Sequence, residues 1–279
     1  MTTGTQTSRR ILIVGGGVAG LSIASRLAES GLPVTILEAA HLGHGASSQN
    51  QGWLHSGAWF ARVDRELARW CHESLQSTLR FHPDIVEPAI EPMAFLISKP
   101  DTLPHPYLQA WREAEIPFSD WPLDDLFARL PGLDRSQVQH AYKMPDRAFR
   151  PDILLEYLAG QAQNAGAEIL SGVRVDSLLI DHETVQGVVT TSGQELRARL
   201  VILAGNIDNL RLAPSNSNKE VPLDQPEFQP VILKTHLISV QEDLGRVPFC
   251  VLDAEGFSYL PHPPYSVFGF DRLRVVGNP

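Results

Sequence analysis

An apolar run, Ile11-Leu12-Ile13-Val14, stops at Gly15-Gly16-Gly17, and directly after it Leu21, Ile23, Ala24, Leu27 and Ala28 recur at intervals of three or four. The first pattern is that of a short buried strand and the second that of an amphipathic helix, so the glycines between them must form a tight turn. Gly31 closes the helix, and after Pro33 the β-branched run Val34-Thr35-Ile36-Leu37 makes a second strand ending at Glu38. Strand, turn, helix and strand within about 30 residues form a βαβ unit, which requires a parallel sheet and opens a Rossmann-type half.

Gly15-Gly16-Gly17-Val18-Ala19-Gly20 fits the spacing G-x-G-x-x-G. Gly15 permits the tight turn, Gly17 lets the backbone approach a pyrophosphate, and Gly20 lets helix and strand pack closely. The helix N-terminus adds free N–H groups and a positive dipole end. Glu38 stands at the end of the next strand, where a carboxylate accepts both hydroxyls of an adenosine ribose and repels a 2′-phosphate; this favours FAD or NAD over NADP. The plainer readings are an empty glycine turn and a solvated glutamate.

Composition bounds the rest. The chain has 279 residues, 43% of them hydrophobic, enough for a substantial core and for one or two domains. Lys and Arg number 23 against 32 Asp and Glu, a net charge of −9, and neither sign forms a run, which argues against nonspecific nucleic-acid binding. The two cysteines, Cys71 and Cys250, lie outside any metal-ligand spacing and read as free thiols in a reducing compartment, with no metal site expected. No stretch of about 20 apolar residues occurs, and Met1 to Arg10 is polar without a cleavage pattern, so a soluble cytoplasmic protein is expected.

Further along, Leu67, Trp70, Cys71, Leu75 and Leu79 predict a core-facing helix with Cys71 buried. Residues 82 to 150 are rich in proline, with one strand-like run, Met93 to Ile97, and helical pieces around Trp111 and Leu126. Pro151 to Ala165 resumes a helix, and a series of strands follows from Ala167, ending in Leu200-Val201-Ile202-Leu203, which reads as buried on both faces. After a polar connection, Val231 to Val240, Phe249 to Leu252, Phe257 to Leu260 and Ser266 to Phe270 read as antiparallel strands. The expected division is a discontinuous nucleotide-binding domain of residues 8–81 and 147–212, and a second domain of residues 82–146 and 213–279.

The loop Gly43-His44-Gly45-Ala46-Ser47-Ser48-Gln49-Asn50-Gln51-Gly52-Trp53-Leu54-His55-Ser56-Gly57 follows the ribose-binding acid. Together with the first unit it resembles the D-amino-acid-oxidase-like family of FAD-dependent oxidoreductases, which includes glycine and sarcosine oxidases, glycerol-3-phosphate dehydrogenase and 2-hydroxyglutarate oxidase. The resemblance implies FAD as cofactor and contacts to it from Gly45, Ala46, Ser47, Ser48, Asn50, Gln51 and Gly52. Their hydroxyl, amide and backbone donors suit phosphate and ribityl oxygens. It further implies that Val175 brackets the adenine and that Ala204 and Gly205, in the strand-to-turn Val201 to Asn206, return to the cofactor. The implied fold class is α/β: a Rossmann-type FAD-binding domain with an interleaved α+β substrate domain built on an antiparallel sheet.

Catalytic candidates are fewer. The family transfers a hydride from a carbon bearing an amine or hydroxyl to the flavin, so the protein mainly positions substrate. His55 stands where the loop should reach the flavin; it orients substrate, acts as a base, carries the flavin covalently, or is a hydrogen-bonded structural histidine. On Val231 to Val240, a period of two places Ile232, Lys234, His236 and Ile238 on one face, a cation and an imidazole suited to an anionic substrate or simply a solvent-facing row. Tyr259, in Tyr259-Leu260-Pro261-His262, resembles the family's segment near the flavin, with core packing as the alternative. The family continues with a glycine-rich strand-to-helix turn that closes over the flavin, whereas this sequence stops at Pro279. Weak FAD binding and slow turnover are expected unless another chain supplies that element. The expected function is dehydrogenation of a small amine, amino acid or 2-hydroxy acid, with oxygen or another molecule as electron acceptor. The alternative is a noncatalytic FAD- or nucleotide-binding module.

Overall fold

The β-branched runs flanking the glycine turn pair in parallel, as two strands joined by a helix must. The computed structural model describes residues 9–212, 232–234, 236–242, 244–253, 257–270 and 274–277, without the side chains of residues 207, 210, 232–234 and 274–277. In it β1 (Ile11–Val14), α1 (Val18–Glu29) and β2 (Val34–Glu38) form the βαβ unit. β1 lies between β2 and the strand Leu200–Leu203, with Ile11 opposite both Val34 and Leu200, and Glu168–Ser171 adds a fourth parallel strand beside β2. Side chains alternate across this sheet. Ile11, Ile13 and Ile36 pack with Leu21, Ala24 and Ala28 of α1 and with Leu155, Leu158 and Ala162 of the helix Pro151–Asn164. Leu12, Val14 and Leu37 face the other way, onto Leu178 and Val188 of the antiparallel strands Val175–Asp181 and Thr184–Thr190 and onto Ala198, just after the third strand Glu195–Arg197.

The turn explains its own glycines. Gly15 has φ +113°, in the region closed to most side chains, and a Cβ at Gly20 would stand 2.0 Å from the Gly15 carbonyl oxygen. Only hydrogen at that position lets α1 lie this close to the end of β1.

Contacts divide the chain into two units: residues 1–49, 151–232 and 277–279, and residues 50–150 and 233–276. The second unit is built on a seven-stranded sheet in the order Leu237–Val240, Tyr265–Gly269, Ser258–His262, Phe249–Val251, Ala94–Ile97, His140–Lys143, Ser119–Asp120. All its pairs are antiparallel except Phe249–Val251 with Ala94–Ile97. Phe95, Trp111 and Tyr142 form the core on one face, beside the helix His105–Glu113; Leu126, Phe127, Phe249 and Tyr259 form it on the other, beside Leu123–Arg129. A short ribbon pairs Trp53–Leu54 with Arg147–Ala148.

Several expectations change. Residues 50–81 and 147–150 group with the second unit rather than the first, because Ala58, Ala61, Ala68 and Ala148 belong to the Trp111 core. The helix Arg65–Phe81 buries Ala68 and Leu75, while Leu67 and Trp70 are exposed and Cys71 is half-buried. A Cβ on Gly57 (φ +87°) would lie 2.1 Å from the Ala68 carbonyl oxygen, so the helix approaches the chain at its small residue and turns Trp70 outward. Leu200–Leu203 is an edge strand with Leu200 exposed, not a strand buried on both faces. The expected single strand over 231–240 is two among the described residues, Ile232–Lys234 and Leu237–Val240, with His236 in neither. Residues 213–230 lie outside the described residues. Among the described residues no helix is long and apolar enough to cross a membrane.

Candidate functional site

The first unit holds a cavity of about 830 Å³ at the carboxyl ends of β1 and β2, lined by the turn Gly15–Ala19, Glu38, His44–Ser47, Val173–Asp176 and Leu203–Asn206. Ligands of open parallel sheets bind at this end of the strands. Its floor is the start of α1, where Leu21 N is the first amide to bond back, to Gly17 O, which leaves the preceding N–H groups without helical acceptors. Ser47 Oγ accepts from Val18 N at 3.1 Å, and a Cβ at Gly17 would lie 2.7 Å from that hydroxyl. Glu38 Oε2 accepts from Gly16 N at 2.8 Å and Oε1 from Ala40 N at 2.9 Å, so the carboxylate braces the turn. A carboxylate has about four acceptor positions, and two remain for a pair of ribose hydroxyls.

The structure thus brings together Gly15, Gly17, Glu38, Gly45, Ala46, Ser47, Val175, Ala204 and Gly205 around one cavity. Gly20 serves the helix–strand contact. Gly20 and four more of the expected cofactor residues fall outside the lining. Ser48 Oγ donates to Gly43 O, and Asn50, Gln51 and Gly52 belong to the second unit. There Asn50 Oδ1 accepts from Gly52 N, Gln51 Oε1 accepts from Ser258 Oγ, and Gln51 O faces His262 Nε2 at 2.8 Å. These amides are engaged within the chain. Sequence reasoning missed Arg174 and Arg211, which add guanidinium charge to a wall that also carries Asp176 and Asp208. Arg174 precedes the expected adenine-bracketing Val175, and that adjacency was the available signal.

In the second unit His55 stacks on Trp53 with ring centroids 4.1 Å apart, and its Nδ1 is buried without a hydrogen-bond partner. Burial holds its pKa below the ordinary histidine value, and the Asp146 carboxylate opposes that shift. A neutral imidazole is a competent proton acceptor. Asp146 is fully buried, and its Oδ1 accepts from Trp53 Nε1 at 2.8 Å and from Ser56 N at 3.0 Å. Nothing local in the sequence singles out Asp146, because its partners lie about ninety positions away.

The other catalytic candidates separate. Tyr259 is buried among Phe249 and Phe268 and its hydroxyl donates to Gly245 O, which makes it a core residue. His236 is exposed, and the side chain of Lys234 lies outside the described residues.

A parallel sheet whose first turn is glycine-rich, with an acid at the next strand end and a cavity at the helix N-terminus, defines a dinucleotide-binding protein, and the residues present fit the adenosine and diphosphate portion of FAD. The chain belongs to the DAO family of FAD-dependent oxidoreductases, which matches it over residues 10–277. It is 32% identical over its whole length to a subunit of the anaerobic glycerol-3-phosphate dehydrogenase of Escherichia coli K12, of which it spans 51%. It is 28% identical over 71% of its length to a glycine oxidase of Pseudomonas aeruginosa, of which it spans 55%. The chain therefore spans about half the length of these curated relatives. Among solved structures, glycine oxidase from Geobacillus kaustophilus matches with a TM-score of 0.70 at 22% identity, covering 94% of this chain and 71% of that one. The FAD-bound L-α-glycerophosphate oxidase of Mycoplasma pneumoniae matches with a TM-score of 0.72 at 17% identity, covering 94% and 71%. At these identities the structural likeness bears on the fold alone.

Proposed function

We propose that the chain holds the ADP half of FAD in the first-unit cavity and forms part of an enzyme that dehydrogenates a small secondary alcohol bearing an anionic group, a phosphorylated polyol or a 2-hydroxy acid. The observation that carries the choice of alcohol over amine is His55, an imidazole stacked on Trp53 with a buried, unpartnered Nδ1, whose pKa burial lowers. A neutral amine carries the lone pair that drives hydride departure from the neighbouring carbon. An alcohol must also lose its hydroxyl proton as the carbonyl forms, and that requires a base. Bound FAD supplies the hydride acceptor. His55 takes the proton, while Gly17, Ser47 and Glu38 hold the cofactor's diphosphate and ribose end. The 32% identity to a glycerol-3-phosphate dehydrogenase supports the same branch.

The test is anaerobic mixing of the FAD-loaded chain with sn-glycerol 3-phosphate, 2-hydroxyglutarate, lactate, glycine and sarcosine while the flavin absorption is followed. Bleaching by a hydroxy compound and not by the amines is expected. Bleaching by the amines alone overturns the alcohol reading, and bound flavin that none of them reduces favours the noncatalytic module.

A further inference from the structure

The helix Arg65–Phe81 buries Ala68 and Leu75, and the side opposite them is not the wholly polar face that a surface helix ordinarily turns to water. Trp70 is 60% exposed, Phe81 46% and Leu67 39%, and Val63, just before the helix, is 94% exposed. Spaced three or four apart, Leu67, Trp70, Ser74, Ser77 and Phe81 lie on one stripe along about 25 Å of helix. Beside the stripe Glu66, Arg69, Glu73 and Arg80, all exposed, form a flank of alternating sign. Single exposed apolar residues are ordinary, but a continuous row of them rimmed by charge marks a contact surface.

The order of sizes and charges along the helix fits a second copy of itself. In an antiparallel pair related by a twofold axis, each flank meets the same flank of the partner in reverse order. With that axis at the level of His72, Leu67 stands opposite the partner's Ser77, Trp70 opposite the partner's Ser74, and Val63 opposite the partner's Phe81. Along the centre large side chains therefore meet small ones. On the flank Glu66 faces the partner's Arg80 and Arg69 the partner's Glu73, and the symmetry repeats both pairs. Every flank charge thus meets its opposite. A surface of anionic lipid would instead call for cations alone, and the chain's net charge of −9 opposes it. Arg69 also bonds Glu113 O and lies near the Glu115 carboxylate of its own chain, whereas Arg80 donates to Ser77 Oγ one turn back, so Glu66 with Arg80 is the pair that a test can read cleanly.

We propose that this stripe is the contact between two copies of the chain, packed antiparallel across a twofold axis with Trp70 at its centre. The inference is independent of the reading of His55. A contact of one helix per copy lies at the small end of specific interfaces, below about 1,200 Å² in total. The dimer is accordingly weak and forms as concentration rises.

Sedimentation velocity of the chain with FAD present, from about 1 μM to about 200 μM, is expected to show a monomer passing into a dimer. Trp70→Glu, at an exposed position, is expected to stay monomeric throughout. Glu66→Arg and Arg80→Glu are each expected to weaken association about tenfold, because each change turns two attractions into repulsions. Mixing those two variants, or combining both changes in one chain, restores opposite signs at both pairs and is expected to restore the dimer. Damage to the helix itself does not yield that recovery, since independent lesions add. A monomer at every concentration overturns the proposal, as does a dimer that Trp70→Glu leaves intact. Reversals that fail to compensate each other overturn the antiparallel pairing. A monomer that floats with phosphatidylglycerol vesicles, and no longer does so as Trp70→Glu, assigns the stripe to a bilayer and overturns the proposal as well.

Discussion

Gly17 and Gly20 belong to one turn but answer to different neighbours. A Cβ at Gly17 meets the rotatable Ser47 hydroxyl, and one at Gly20 meets the rigid Gly15 carbonyl. Gly17→Val should therefore give a folded, colourless protein, because the side chain displaces Ser47 from Val18 N and fills the path of the diphosphate. Circular dichroism and flavin content together check this, and full flavin content in a folded variant removes the turn from the site. Gly20→Ala instead forces backbone apart and should lower the urea midpoint by the equivalent of about 1–3 kcal/mol, the usual range for overpacking. Glu38→Ala should weaken FAD binding by about 1–3 kcal/mol, typical of hydrogen bonds to a charged group, and release the amides of Gly16 and Ala40. Equal affinity in an apoprotein titration would reduce Glu38 to a brace of the turn. These residues were legible because turn, helix start and acid lie within one local βαβ unit. Asp146 was not, since its hydrogen bonds exist only where the chain folds back onto Trp53 and Ser56.

At the scale of elements, the helix Arg65–Phe81 shows what periodicity leaves open. Spacing predicted the helix correctly, and Asp64 caps it by accepting from Leu67 N at 2.9 Å. Asp64→Ala should cost about 1 kcal/mol, visible as a lower urea midpoint, and an unchanged midpoint would show the cap to be without weight. The buried face, however, runs through Ala68 and Leu75 instead of Leu67 and Trp70, because Gly57 admits the backbone only at a small residue. Likewise the apolar run over 231–240 predicts extended chain, but not its interruption at His236.

For the whole molecule, the buried His55 ties stability to pH. Its folded pKa lies below the ordinary 6.5, so as pH falls below that value the unfolded chain binds the proton first and stability declines until the folded-state imidazole also protonates. The contribution is present above pH 6.5 and lost below it. The stability difference between the protein and His55→Gln should therefore narrow on going from about pH 8 to about pH 5, as measured by urea unfolding at both. A constant difference would show that His55 is not desolvated in the folded state.

The amino-acid sequence by itself determined the parallel βαβ unit, the glycine turn, the acid at its end and the alternation that gives the sheet two buried faces. Each of these follows from near-neighbour sterics and a period of two or 3.6 residues. Tertiary structure alone decided that residues 50–81 join the second unit, that Asn50 and Gln51 spend their amides within the chain, that Tyr259 is core, and that Asp146 binds Trp53 and Ser56. Those outcomes depend on which distant segments compete for the same buried surface and the same hydrogen bonds, and a local pattern carries no record of that competition.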